Sequence, residues 1–434
     1  MFTFPEGFLW GAASSAYQVE GGNFNSDWWR WEQRPGRIRD RQSAHTAARH
    51  AETFESDFDL ARKLGHTAHL FSIEWSRVQP EPERFDPDEL THYAAVADAL
   101  ARRGLEPVCV LNHVSLPDWF ARRGGWQHRE APEIFGHFAT RIAETLASNV
   151  TRWIPILEPE HLVNMAWIEG QWPPGGGPFW SAYTALHSLM KSHAAAYRAI
   201  HRIQPDAQVG LSVRARRCRP ANVASEWDLR AANRENRRAL ELLAEAACGG
   251  RARFPFQSAR DICDTADFIA LSYYGAETVR WAPDRPLRFF RALTDEAGRP
   301  ARAGTYRPDA EGFKEVLGRA RVFGRPILIA GNGIDTEDDA PRCRFLLDHV
   351  AALGEAMREG ADVRGYFHRS LLDGFEWTDG YSARYGLVHV DWETLGRTPN
   401  PSAYLYKDIC ESGAIRPGAV ERFAPGWSWT GESV

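Results

Sequence analysis

Residues 54–73 read Phe54-Glu55-Ser56-Asp57-Phe58-Asp59-Leu60-Ala61-Arg62-Lys63-Leu64-Gly65-His66-Thr67-Ala68-His69-Leu70-Phe71-Ser72-Ile73. In Phe54–Leu64 apolar residues recur at three- and four-residue steps, the pattern of a helix with one buried stripe. Ala68–Ile73 is a short, nearly continuous apolar run, the pattern of a strand buried on both faces. One helix followed by one strand is the repeating unit of an α/β fold.

The unit recurs along the chain. Candidate strands are Phe8–Ala13, Ala68–Ile73, Val108–Asn112, Trp153–Leu157, Gln208–Val213, Phe268–Ser272, Ile327–Ala330 and Gly365–Phe367. Further helical patterns cover Glu89–Arg103, Ala131–Ala147, Ser181–Ile203 and Arg342–Arg358. Strands alternating with helices in this way predict a parallel sheet closed on itself, a single (β/α)8 TIM barrel of the α/β class. The whole of residues 1–434 is expected to form that one domain, with 414–434 a C-terminal tail after the helical signal stops. Trp172–Pro178 reads as a loop, and Arg280–Pro308 as a long irregular loop over one barrel face.

Composition fits this reading. The chain has 434 residues, 44% hydrophobic and 25% charged, with a net charge of −5. That charge is too mild to indicate a nucleic-acid or membrane partner, and no apolar run has the length of a membrane span. The 17 tryptophans serve either as core or as faces for sugars and other flat substrates. Cys109, Cys218, Cys248, Cys263, Cys343 and Cys410 are scattered, with no CxxC pair and no metal-ligand spacing. Together with an N-terminus lacking a signal-peptide pattern, they predict a cytoplasmic protein without metal or cofactor.

In a barrel of this kind, chemistry gathers where strands end. His113 follows the third run, Glu158 the fourth, and Glu376-Trp377 the eighth; the seventh ends in Gly331-Asn332-Gly333. Several stretches at these places resemble signatures of glycoside hydrolase family 1, the β-glucosidase family. They are Phe8-Leu9-Trp10-Gly11-Ala12-Ala13-Ser14-Ser15-Ala16-Tyr17-Gln18-Val19-Glu20-Gly21, Phe71-Ser72-Ile73-Glu74-Trp75-Ser76-Arg77, Asn112-His113, and Leu371-Leu372-Asp373-Gly374-Phe375-Glu376-Trp377. The matches keep family order from about residue 4 to residue 410.

The resemblance implies two carboxylates. In retaining enzymes they stand roughly 5 Å apart, one as acid/base and one as nucleophile. The family's Asn-Glu-Pro motif corresponds to Leu157-Glu158-Pro159, so the acid/base position is Glu158. Its Thr-Glu-Asn-Gly motif corresponds to Ala330-Gly331-Asn332-Gly333, so the nucleophile position is Gly331. The Arg that contacts the nucleophile is replaced by Leu70. The Asn that binds the 2-hydroxyl is replaced by Leu157, the sixth-strand Asn by Ser272, and the Trp beneath the sugar by Arg369. Gln18, His113, Tyr274, Glu376 and Trp377 keep the family's sugar-contacting types.

These substitutions belong together physically. A buried Arg without its carboxylate is left uncompensated, so loss of both avoids a cost of roughly several kcal/mol. They imply an enzyme that does not form the covalent glycosyl-enzyme. Glu158 would act as general acid/base on a small-molecule substrate, either a glycoside or a natural product undergoing acid-catalysed cyclisation or rearrangement. An inactive carbohydrate-binding protein and a weak β-glycosidase are the alternatives. Apolar neighbours would raise the pKa of Glu158; Arg369 would lower it if close, or would pair with Glu376, or would bind an acceptor-rich group of the ligand. Oligomeric state has no sequence signal.

Overall fold

The apolar runs become strands because each is covered twice, by the barrel's interior and by the surrounding helices. The computed structural model describes residues 2–249, 256, 260–285, 288, 291–295, 299, 301 and 306–429. The strands are β1 (Leu9–Ser14), β2 (Ala68–Ser72), β3 (Glu106–Asn112), β4 (Arg152–Ile156), β5 (Gln208–Pro220), β6 (Phe268–Trp281), β7 (Arg291–Thr294), β8 (Ile327–Asn332) and β9 (Val363–Arg369). All but β7 are parallel, and the β5–β6 and β1–β9 pairings close them into a ring. This is the expected (β/α)8 TIM barrel. β10 (Val388–Val390) and β11 (Arg397–Pro399) form a separate antiparallel pair.

Alternation along the strands sorts side chains between two cores. Leu70 on β2, Val108 and Val110 on β3, Ile154 on β4, Phe268 on β6, and Leu328 and Ala330 on β8 fill the barrel interior. Their neighbours Phe71, Cys109, Leu111 and Ile269 face the helices. The helix Ala131–Leu146 shows the matching stripe, burying Phe135, Phe138, Ala139, Ile142 and Leu146. Gly11 is required by close approach: a Cβ there would stand 2.3 Å from the Ala68 carbonyl oxygen.

Three elements differ from expectation. β5 and β6 run past Val213 and Ser272 and stay paired as far as Pro220 and Val279, making a wall that rises above the barrel. β7 adds antiparallel to that wall, and Ala276 bridges Arg307, so Arg280, Trp281, Arg291–Thr294 and Arg307 of the expected loop Arg280–Pro308 lie on the sheet. Residues 286–287, 289–290, 296–298, 300 and 302–305 of that stretch lie outside the described residues. The helix Glu226–Ala247 packs against β5 and gave little sequence signal. Its buried stripe is mostly alanine and includes Asp228 and Glu235. The expected tail contains a helix, Pro417–Phe423. Beyond it Trp427 Nε1 donates to Asp348 (2.7 Å) and Trp429 Nε1 to Glu355 (2.7 Å), both on the helix Asp339–Arg358. Residues 430–434 of the tail lie outside the described residues.

Candidate active site

A cavity of about 470 Å³ opens where the barrel strands end. His113, Glu158, Tyr274, Arg369, Glu376 and Trp377 all line it. Gln18 stands behind, with its amide nitrogen donating to Glu376 Oε2 (3.0 Å) and to the Phe375 carbonyl (2.9 Å). Leu70 and Leu157 belong to the barrel-interior core and extend it upward as an apolar floor.

Glu158 follows β4 with φ +50° and ψ +52°, left-handed backbone that a non-glycine residue rarely adopts. The Ser212 hydroxyl on β5 accepts its N–H at 3.0 Å. Its carboxylate is 2.8 Å from Arg214 Nη1, and both side chains are largely shielded from solvent. Burial pushes the Glu158 carboxyl up, but the Arg214 charge, the nearby Ser272 hydroxyl and the Arg214 hydrogen bond outweigh it, and the net displacement is downward. The sequence left the direction open between apolar neighbours, which do push it up, and an arginine, which outweighs them. That arginine is Arg214, which sequence reading did not single out. It was discoverable, being the residue directly after the fifth strand run, Gln208–Val213.

Arg214 does more than pair. Its guanidinium lies 4.3 Å from the ring centre of Tyr274 and 5.0 Å from that of Tyr306, within cation–π range. Two residues on, the buried Arg216 reaches Glu160 (3.4 Å), Glu235 (3.3 Å) and Glu277 (3.2 Å). Arg291 on β7 joins Glu235 (3.0 Å), and Arg238 joins both Glu235 and Glu160 (3.1 Å each). This ionic cluster ties the raised wall to the helix Glu226–Ala247 and to the residues after Glu158. Glu160 is thereby committed to the cluster.

On the opposite side Arg369 pairs with Glu376 through Nη2 and approaches Gln18 Oε1 (3.4 Å) through Nη1. It also lies 5.1 Å from the Tyr385 ring centre. Among the readings left open for Arg369, the structure shows the internal ion pair. For Glu376, burial raises the pKa further than Arg369 and Gln18 lower it. His113 is held near 3 by burial and stays neutral at ordinary pH; its Nδ1 is 2.6 Å from Ser15 Oγ. Trp377 stacks on Tyr17 (5.8 Å, 11°) and meets Trp28 and Trp172 at 4.6 and 5.6 Å.

Gly331 is in β8, in register with Ser272 on β6. A Cβ built at Gly331 would lie 2.6 Å from the Tyr274 hydroxyl oxygen and 3.4 Å from Ser272 Oγ. The Tyr274 hydroxyl therefore fills the space in which a side chain at 331 would begin. Asp335, read in sequence as part of an exposed acidic run, stands at the cavity mouth and accepts the Arg384 N–H at 2.7 Å. Arg214, Tyr306, Trp172 and Tyr385 also line the cavity and were missed; Tyr306 and Trp172 stand in segments read only as loops.

Fold and cavity together define a (β/α)8-barrel protein with a small-molecule site at the strand ends, walled by aromatics and by two arginine–carboxylate pairs. The chain belongs to glycosyl hydrolase family 1, whose family model matches residues 1–414. It is similar to beta-glucosidase A of Thermotoga maritima, 29% identical over 443 residues that span 95% of this chain and 98% of the relative. It is also similar to probable inactive beta-glucosidase 14 of Oryza sativa subsp. japonica, 28% identical, covering 95% of this chain and 92% of that one. The solved beta-glycosidase from Pyrococcus horikoshii superposes with a TM-score of 0.87 at 34% identity, over 97% of this chain and 98% of that one.

Proposed function

We propose that this chain is a divergent family 1 enzyme that lacks the nucleophilic glutamate and works without a covalent glycosyl-enzyme. Glu158 acts as its general acid/base on a small-molecule substrate, a glycoside or a natural product. The observation that carries this reading is the pairing of Gly331 with the Tyr274 hydroxyl, 2.6 Å from any Cβ at that position. Double displacement needs a carboxylate there, and that place is occupied by a phenol.

The ion pair with Arg214 supports the base half of the role. At neutral pH Glu158 is a carboxylate, ready to take a proton from water or from a substrate group and to return it in a later step. Groups meant to donate first are instead held protonated above neutrality. The neutral His113, the aromatic wall around Trp377 and the apolar floor at Leu70 and Leu157 suit a substrate with one flat or apolar face. An inactive carbohydrate-binding role has the rice relative in its favour. Against a binding-only role, Glu158 is kept as a paired carboxylate at the strand ends, a group that acid/base chemistry uses and binding alone does not require.

The test is hydrolysis of 4-nitrophenyl β-D-glucoside with and without sodium azide. Turnover should be very slow, and azide should accelerate it less than about tenfold, because the phenol already occupies the space. Rapid turnover without azide would sink the proposal. Glu158→Gln should also abolish whichever product the wild-type protein forms from a panel of glycosides and aromatic natural products. A product formed equally by both proteins would remove Glu158 from the mechanism.

A further inference from the structure

His161 lies three residues after Glu158, on the helix Pro159–Val163, where residues three apart share a face. Both side chains line the cavity. His161 is 5% exposed, and no described residue hydrogen-bonds to its ring. The groups around it are engaged elsewhere: Glu160 belongs to the ionic cluster, and the His113 ring is held by Ser15 Oγ. Trp172 fixes the His161 ring from one side, meeting it edge-on at 5.2 Å and 89°. Trp172 is itself held against Trp377 and Trp28. A buried imidazole usually has a hydrogen-bond partner. One that is fixed at a cavity wall with neither nitrogen engaged is placed to serve a ligand.

We propose that His161 is a second catalytic residue, whose N–H binds a carbonyl oxygen of the substrate while Glu158 removes a proton from the adjacent carbon. The substrate class is then a neutral compound with an enolisable carbonyl, and the reaction passes through its enolate. The C–H bond breaks and its proton goes to the Glu158 carboxylate. The electron pair left behind forms a carbon–carbon double bond, and the carbonyl π pair moves to oxygen, where His161 holds it. Return of the proton from Glu158 closes the cycle without an oxidant or a further reactant. Two properties fit the pair to this work. Arg214 keeps Glu158 ionised and holds its pKa down, which leaves a weak base. A weak base takes a proton from carbon only where the displaced electron pair is received by a placed donor. Burial, followed by Arg214, Arg216, His113 and Arg369, holds the His161 imidazole well below its ordinary pKa. It therefore stays neutral, with one ring nitrogen carrying a proton. A glutamate base beside a neutral imidazole is an arrangement suited to enolate chemistry. The Leu157 floor and the Trp172 face suit the hydrocarbon part of such a molecule.

This inference rests on Glu158 as the base of the proposed function and names the substrate class of that site. The probes are 4-chromanone and 1-tetralone, flat neutral ketones with hydrogen on the carbon beside the carbonyl. Each is incubated with the full chain in deuterium oxide at neutral pH, and exchange at that carbon is followed by proton NMR. The wild type should accelerate exchange of at least one ketone by about 100-fold or more over buffer. His161→Phe, which keeps a ring on Trp172 and removes the donor, should lower kcat for exchange about 100-fold. Its KM should change less than about threefold, the mark of a contact made chiefly in the transition state. His161→Gln, which restores a neutral N–H, should recover part of the lost rate. The carbonyl stretch of bound ketone, read by infrared difference spectroscopy, should move to higher frequency in His161→Phe. No exchange of either ketone, equal exchange in His161→Phe and wild type, or an unmoved carbonyl band would each overturn the assignment. Exchange that survives Glu158→Gln would instead remove Glu158 as the base, and fast aryl-glucoside hydrolysis would overturn the proposed mechanism.

Discussion

Arg214 sets the state of Glu158, and removing it should expose how. Arg214→Leu leaves a buried carboxylate without its counter-ion, at a cost of roughly 3–5 kcal/mol at pH 7. The sign with pH follows from the direction of the shift. In the wild type the folded-state value is depressed, so this group stabilises the fold above its unfolded value of about 4.3. That contribution is lost as pH falls through the folded value. In the variant burial is opposed chiefly by the Ser272 hydroxyl and the value rises, so the loss of stability should shrink as pH drops from 7 toward 4. Thermal denaturation across that range reads it directly, and a deficit independent of pH would mean the pair is not what Arg214 supports.

Gly331 and Tyr274 offer a second test at the same scale. Gly331→Ala should destabilise the protein by about 1–3 kcal/mol through forced contact with the phenol oxygen. Tyr274→Phe should rescue most of that, because the next ring atom, Cζ, is 3.5 Å from the Cβ position, an ordinary contact. A double-mutant cycle by urea unfolding gives the coupling; additive effects would separate the two residues. Half of this arrangement was legible in sequence. The replacement at 331 is visible by alignment of motifs, whereas what fills the space depends on a side chain reaching across from β6. The same holds for Glu158. Its position was readable, but its charge state was set by Arg214 on the next strand, and neighbours across strands are tertiary information.

Among the elements, the raised β5–β6 wall matters most to the site. Strand patterning located β5 and β6 within the barrel, where apolar runs are continuous. It lost them above it, where Arg214, Arg216, Arg217 and Arg219 interrupt the pattern. Those arginines remain in a strand because buried carboxylates receive them. Glu235 is the hub, with its carboxyl pushed up by burial but brought down to about 2 by Arg238, Arg291 and Arg216. Glu235→Ala should therefore cost about 3–5 kcal/mol. Its contribution in the wild type is complete above pH about 4.3 and fades toward pH 2, so acid unfolding of the variant should begin from an already weakened plateau. Chemical denaturation at pH 7 and an acid titration followed by tryptophan fluorescence measure both parts.

Over the whole molecule, the first and the last described segments meet on one side of the barrel. Phe2 and Phe4 share an apolar groove with Ile415, Val420, Trp427 and Trp429, beside Val350 and Ala351. Deleting residues 425–434 should uncover this groove and lower stability by about 1–3 kcal/mol. The cavity at the strand ends should keep its activity, since none of the described residues among 425–434 lines it. Differential scanning calorimetry paired with the assay for Glu158-dependent product separates the two effects. Barrel closure was legible from eight spaced apolar runs, because a parallel ring buries each strand completely. The seating of the C-terminal segment was not, because two indole hydrogen bonds leave no periodicity.

The phenol at Gly331 also bears on how such a chain changes over generations. A glutamate placed at 331 would meet the Tyr274 hydroxyl at once, because its Cβ would lie 2.6 Å from that oxygen. That single substitution is unfavourable until Tyr274 also moves or changes. Substitutions that leave the phenol in place are open to such a chain one at a time, whereas a side chain at 331 is reached only through a paired change.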